Sequence, residues 1–148
     1  MKAKDFLSAQ QQERLVVAIK EAEKNTSGEI RIHLDDTCSG NPMKRAGQVF
    51  HFLRMDRTAL RNGVLIYLAC ESKVFAIIGD KGINEAVPEG FWNDIKESMT
   101  GYFRKGEFTE GLESAVLAVG EKLKSYFPYS KDDVNEQPDD ISFGGNNK

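Results

Sequence analysis

Two turn-forming segments carry the side chains best suited to hold a hard cation. Asp35-Asp36 follows a strand-like segment, and Asp80 stands in the segment Gly79-Asp80-Lys81-Gly82. Ca²⁺ and Mg²⁺ need only carboxylate, amide and backbone oxygens, and glycine lets a backbone carbonyl approach an ion closely. We therefore identify Asp35, Asp36 and Asp80 as candidate ligands of Ca²⁺ or Mg²⁺. The structural alternative is that Asp35 and Asp36 form a turn and Asp80 caps a helix.

Other common enzyme classes find little support in the sequence. Gly101 and Gly106 have the glycine spacing of a P-loop, but Glu107-Phe108 follows where Lys and Ser or Thr must hold phosphate and magnesium. His33 and His51 are the only histidines, too few for the three or four ligands that zinc takes. We interpret His33 as a solvated residue on a strand face, with a general acid or base as the alternative.

The length and composition describe one globular domain. The chain has 148 residues, 40% of them hydrophobic and 29% charged, with a net charge of −3, so no overall positive field favours nucleic acid. The longest strongly apolar stretch, 64–70, is far shorter than the ~20 residues of a membrane span. No export signal is visible and the two cysteines have no paired spacing. We expect a soluble, cytoplasmic protein that has no membrane span and does not bind nucleic acid.

The first half of the chain alternates between helix and strand patterns. Ser8 and Gln11 form a capping-box signature that predicts a helix over 8–24. Strict alternation over 29–34 predicts a strand with one polar face. Helical spacing returns over 43–55, and the apolar run 64–69 predicts a central strand.

Past this strand, a second apolar run at 74–78 predicts an antiparallel hairpin. Helical spacing then marks 91–103 and a last helix that starts near Thr109. Because one helix separates the first two strands, they should be parallel with a right-handed crossover. The expected fold is α/β, with helices on a small mixed sheet that contains this crossover and the hairpin. Asp35-Asp36 and Asp80 should then lie at opposite ends of the sheet.

The C-terminal part has a different composition from the rest. Residues 131–148 hold five acids and two lysines, with a Gly-Gly-Asn-Asn sequence near the end. We place the domain at 1–128 and predict an acidic, largely mobile tail at 129–148. Ile141 and Phe143 are the apolar pair through which this tail could fold back onto the domain.

Several spaced motifs resemble the TPM domain family, over about residues 8–127. They are Thr26-Ser27-Gly28-Glu29-Ile30, Arg61-Asn62-Gly63-Val64-Leu65-Ile66, Gly79-Asp80-Lys81-Gly82-Ile83, and Phe103-Arg104-Lys105-Gly106-Glu107-Phe108 through Gly111-Leu112. The resemblance implies a three-layer α/β/α sandwich. It also implies an association with metal binding and, in some members, acid phosphatase activity. Many relatives have an aspartate before the Asn-Gly dipeptide and an aromatic residue in the Gly-x-Gly turn, whereas this chain has Arg61 and Asp80-Lys81, as in a short, soluble subgroup.

Two functions follow from these observations. In the first, the domain binds a divalent cation and acts as an interaction or accessory module that docks on another protein. In the alternative, it is a metal-assisted acid phosphatase, in which the cation neutralises a phosphomonoester and positions water. Arg61 or Lys81 would then bind the phosphate, a role that a guanidinium fills through paired hydrogen bonds. No nucleophile and base can be named, so the catalytic residues stay unassigned.

Overall fold

The structure is a computed structural model that describes residues 2–130 and 140–144 and the backbone of residues 146 and 147. In this part of the chain six α-helices and a 3-10 turn alternate with short strands. The helices are α1 (Ala3–Phe6), α2 (Ala9–Glu23), α3 (Pro42–Phe52), α4 (Lys81–Ala86), α5 (Asn93–Arg104) and α6 (Phe108–Leu123). The strands are β1 (Glu29–Asp35), β2 (Thr37–Cys38), β3 (Gly63–Ala69), β4 (Val74–Gly79), β5 (Ile141–Phe143) and β6 (Asn146–Asn147).

The main sheet has four strands in the order β4-β3-β1-β5. β1 and β3 run parallel, from the pair Glu29 and Gly63 to the pair Asp35 and Ala69. β3 and β4 form an antiparallel hairpin, so the predicted crossover and hairpin are both present. β5 pairs in parallel with the other side of β1, and β2 and β6 form a separate two-stranded sheet.

Helices cover both faces of the sheet, because both faces carry buried apolar side chains. On one face, the inward residues of β1 and β3 pack against α2, α5 and α6; they include Ile30, Ile32, Leu34, Val64, Ile66 and Leu68. On the other face, residues of β3 and β4 pack against α3; they include Leu65, Tyr67, Ala69 and Ala76. The predicted three-layer α/β/α sandwich is therefore confirmed.

Local signals explain where the helices begin and end. The Ser8 Oγ accepts a hydrogen bond from the backbone N–H of Gln11, and the Gln11 side chain accepts one from Ser8 N–H, so the predicted capping box starts α2. α3 begins at Pro42 after an Asn41 cap. It ends at Phe52, earlier than residue 55, because Arg54 adopts a left-handed conformation with φ of 58° and leads into the 3-10 turn Met55–Arg57.

The expected mobile tail falls mostly on residues 131–139, which lie outside the described residues. Residues 141–143 form the edge strand β5, and the Gly144 N–H donates to the Leu34 carbonyl at 2.8 Å. The return of the chain through Ile141 and Phe143 therefore adds a fourth strand to the sheet.

Candidate functional site

The carboxyl end of β1 holds a buried cluster of charged and polar side chains around Asp35. His33 and Asp35 are two residues apart on one strand and therefore lie on the same face of the sheet. The Tyr67 side chain comes from β3, where it stands opposite His33 in the register. Arg45 reaches the cluster from the first turn of α3, and Ser142 from β5.

Asp35 accepts hydrogen bonds on both carboxylate oxygens. Oδ1 lies 2.7 Å from His33 Nε2 and 3.3 Å from Arg45 Nη2. Oδ2 accepts from Arg45 Nε at 2.8 Å and from the Tyr67 hydroxyl at 2.6 Å. Because a carboxylate only accepts, His33 Nε2 donates a hydrogen bond to Asp35. His33 Nδ1 lies 2.7 Å from Ser142 Oγ.

Electrostatics in this cluster favour an ionised Asp35. Burial alone would raise the pKa of Asp35, but the hydrogen bonds from His33, Arg45 and Tyr67 outweigh it and hold the pKa well below its usual range. Burial and the hydrogen bond to Asp35 raise the pKa of Tyr67, so the phenol keeps its proton. Burial, with Asp36 and Asp35 close by, also raises the pKa of Cys70 to about 12, so this thiol is not an activated nucleophile.

The sequence interpretation of His33 as a solvated strand residue is corrected by this geometry. His33 is 5% exposed, because Ser142 of β5 and the Tyr67 ring lie against it and the Asp35 carboxylate supplies a partner inside the fold. The partners Arg45, Tyr67 and Ser142 were not identified from the sequence. Tyr67 could have been found, since it is the one side chain with a hydroxyl in the apolar run of β3 and the predicted parallel register places it beside His33.

Asp36 lies next to this cluster but faces a different environment. One carboxylate oxygen accepts a hydrogen bond from Ala3 N–H, and the other lies 3.9 Å from Lys2 Nζ. The side chain is 8% exposed. It contributes to a cavity of about 290 Å³ whose other walls are Lys2, Lys4, Phe143 and Gly144.

Asp80 and Arg61 form an ion pair at the opposite end of the sheet. Arg61 Nε donates to Asp80 Oδ2 at 2.8 Å and Nη2 donates to Oδ1 at 3.0 Å. Asp80 also caps α4, since Oδ1 accepts from Lys81 N–H at 2.7 Å. The Lys81 side chain is 70% exposed, and its Nζ lies 3.8 Å from Glu85. Arg61 and Asp80 are thus brought together as partners of each other.

The predicted separation of the two turns is confirmed by the register. Asp35 pairs with Ala69 at the carboxyl end of β1 and β3. Asp80 follows Gly79, which pairs with Val64 at the other end of β3. The strands span about 20 Å at 3.3 Å per residue, so Asp35-Asp36 and Asp80 cannot coordinate one ion.

The donor sets of these carboxylates do not fit a resident divalent cation. Ca²⁺ takes six to eight oxygens and Mg²⁺ six, whereas Asp35 and Asp80 each already accept from an arginine on both oxygens. Asp36 supplies a single further oxygen, beside Lys2. Across residues 2–130 and 140–144, no group of three or more His, Cys, Asp or Glu side chains is arranged to hold a metal. Four acids of the tail, Asp132, Asp133, Glu136 and Asp139, lie outside the described residues.

No helix in the described part of the chain has both the length and the apolar character to cross a bilayer. Solved structures that are similar to the protein include two NMR structures. The NMR structure of BA42 protein from the psychrophilic bacterium Bizionia argentinensis is 48% identical, with a TM-score of 0.90, over 97% of this chain and 99% of that one. The solution NMR structure of the N-terminal domain of a protein from P. gingivalis is 20% identical, with a TM-score of 0.67, over 83% and 80% of the two chains. This second likeness shows the fold alone.

Among curated proteins, none matches this chain. The family model described as the TPM domain matches residues 1–122, which include β1, β3, β4 and nearly all of the six helices. The protein therefore belongs to the TPM domain family.

Proposed function

We propose that this TPM domain is an accessory binding module whose ligand surface lies at the carboxyl end of β1, around Asp36. The observation that carries the proposal is the internal pairing of Asp35, Asp80 and Arg61, three of the charged groups that hydrolysis would need. Asp35 is neutralised by Arg45 and hydrogen-bonded by His33, and Asp80 is neutralised by Arg61. These pairs stabilise the fold and leave their charges unavailable to a substrate.

The phosphatase alternative needs a free cationic clamp and a positioned water. Arg61 would have to break two hydrogen bonds to Asp80 before it could bind phosphate. Cys70 directly follows β3. Its thiol stays protonated because its pKa is raised to about 12. Both features disfavour phosphoryl transfer by these residues.

The cavity beside Asp36 supports this location of the ligand surface. Open α/β sheets bind ligands outside the carboxyl ends of their strands, and this cavity of about 290 Å³ lies there. It combines a buried carboxylate with two lysines and the aromatic ring of Phe143, which is 39% exposed. A surface that offers both charge signs and an apolar side chain suits a polypeptide partner.

An assay of a chromogenic phosphomonoester, with added Mg²⁺ or Ca²⁺, separates the two functions. We expect the wild type to show no turnover above the buffer rate. Turnover that is lost in Asp36→Asn or Asp80→Asn would contradict the module and establish the phosphatase. Asp94→Asn serves as the matched control, because Asp94 is an exposed carboxylate whose partner is Lys122.

A backbone-amide NMR titration with Ca²⁺ and with Mg²⁺ tests the cation prediction itself. Shifts confined to residues 35–40 would support a cation-assisted ligand surface at the carboxyl end of β1. Shifts centred on residues 79–85 would place the ligand at the other end and would contradict the proposal. The absence of any shift would remove the metal from the function without affecting the module.

A further inference from the structure

The outer edge of β1 is covered by a strand that comes from outside the matched domain. The TPM match ends at residue 122, whereas β5 spans Ile141–Phe143. β5 is only three residues long and lies at the edge of the sheet. β5 pairs with β1 from Ile32 to Leu34 and is joined to the rest of the sheet at this one edge only.

Each position of this segment meets a distinct environment. Ile141 is 5% exposed and joins the core cluster that α2, α5 and α6 cover. Ser142 bonds to His33 Nδ1 at 2.7 Å, on the opposite face. Phe143 is 39% exposed. The first position therefore favours an apolar residue and the second a residue with a hydroxyl. The third position tolerates variation.

The fourth position requires glycine for a steric reason. The Gly144 N–H donates to the Leu34 carbonyl at 2.8 Å, which fixes its backbone against the end of β1. A Cβ at this position would collide with Asp35 Oδ1 and would lie 2.9 Å from His33 Nε2. Asp35 cannot move away without breaking its hydrogen bonds to Arg45 and Tyr67, so the collision is not relieved.

We propose that the outer edge of β1 is a docking groove for an extended peptide, and that residues 141–144 are its built-in occupant. The partner is a polypeptide segment with the pattern aliphatic–Ser or Thr–any–Gly, which adds to the sheet parallel to β1. Main-chain hydrogen bonds give such strand addition its affinity, and the alternate side-chain sites give it specificity. This inference rests on the proposed binding role and names the partner class. A docked partner takes the place of Phe143 and Gly144 beside Asp36.

The built-in segment controls access to the groove. A tethered ligand acts at an effective concentration in the millimolar range, so the groove of the intact chain is closed to partners of moderate affinity. A partner can bind only to chains in which the segment has left β1. Its apparent affinity is therefore its intrinsic affinity multiplied by the fraction of such chains. The segment therefore sets an affinity threshold for docking.

The test uses the full-length chain and a fluorescein-labelled peptide with the sequence of residues 138–148. Gly144→Ala should release the segment by collision with Asp35, and Ile141→Asp should release it by placing a charge in the core. Both variants should bind the labelled peptide at least about tenfold more tightly than the wild type does. Phe52→Ala is the control, because Phe52 is 83% exposed on α3. It should match the wild type.

A second peptide with Ala in place of glycine at the fourth position should bind neither variant. Amide NMR of residues 32–34 reports whether the segment has left β1. A released segment with no peptide binding would overturn the inference, and so would a Gly144→Ala chain in which the segment stays paired. A negative peptide-binding result does not alter the expected result of the phosphatase assay. The docking groove and the proposed module can therefore be refuted separately.

Discussion

Tyr67 donates a hydrogen bond to Asp35 from the neighbouring strand of the sheet, at 2.6 Å, while its ring stacks on His33 with centroids 5.9 Å apart. One side chain thus holds both members of the His33–Asp35 pair. The arrangement depends on the parallel register, in which Tyr67 stands opposite His33. It makes β3 the strand that fixes the position of the charged cluster.

Removal of the Tyr67 hydroxyl should destabilise the fold without changing its shape. Tyr67→Phe keeps the ring but takes one donor from a fully buried carboxylate, which costs about 1–3 kcal/mol. Urea denaturation followed by circular dichroism measures the change in the free energy of unfolding. Tyr126→Phe is the control, since Tyr126 is 40% exposed, and it should change this free energy by less than about 0.5 kcal/mol. Equal stability of Tyr67→Phe and wild type would show that the hydrogen bond contributes nothing.

Acid should destabilise the wild type through Asp35. The pKa of Asp35 lies far below its usual value in the folded state, whereas an unfolded aspartate has a pKa of about 3.9. On acidification, Asp35 therefore takes up a proton in the unfolded chain but not in the folded chain. The free energy of unfolding falls as the pH drops from about 5 toward 2.

Arg45→Met tests that contribution. Without the guanidinium, the pKa of Asp35 should rise toward its unfolded value, so stability at pH 7 should be lower and its dependence on acid shallower. Unfolding free energies at pH 7, 5, 4 and 3 measure both effects. Lys44→Met, on the same helix but exposed, should keep the wild-type slope; an unchanged slope in Arg45→Met would refute the assignment.

Asp80 should stabilise the fold through its cap on α4 and its ion pair with Arg61. Asp80→Ala removes both, and the loss of a helix cap costs about 1 kcal/mol. Asp80→Asn keeps a capping oxygen for Lys81 N–H, so it should be the milder change. Thermal denaturation of the two variants measures the difference. If Asp80→Asn is as damaging as Asp80→Ala, the carboxylate charge rather than the cap is what stabilises this turn.

Two helical glycines should respond in opposite directions to alanine. A Cβ on Gly120 of α6 would approach Ala22 of α2 to 2.8 Å, so Gly120→Ala should cost about 1–3 kcal/mol by overpacking. A Cβ on Gly101 of α5 would meet nothing within 4 Å, so Gly101→Ala should stabilise by about 0.5–1 kcal/mol. Parallel urea titrations compare the pair. A stabilising Gly120→Ala would mean that α2 and α6 can move apart.

Much of the scaffold could be predicted from local signals. The Ser8 capping box gave the start of α2 because the cap is made within four residues. The parallel pair of β1 and β3 followed from the single helix between them, because such a crossover returns the chain in the same direction. The separation of Asp35 from Asp80 followed from this topology alone.

The candidate site was harder to predict because its contacts join distant segments. Arg45 reaches Asp35 from a helix whose orientation no local pattern specifies, and Ser142 reaches His33 across 109 positions. These distant contacts bury His33, which the sequence had predicted to lie on the surface. Arg61 was assigned to phosphate because a guanidinium binds phosphate through paired hydrogen bonds. Its left-handed backbone, with φ of 50°, belongs instead to the segment that brings it onto Asp80.

The long span between β1 and β5 has a kinetic consequence. The hairpin of β3 and β4 closes through a short turn, but β5 must find β1 across more than 100 residues, and contacts of such separation form slowly. With only three paired residues, β5 should dock after the rest of the sheet has formed. The same strand should be the first to detach, so the amide of Gly144 should exchange with deuterium well before those of β3.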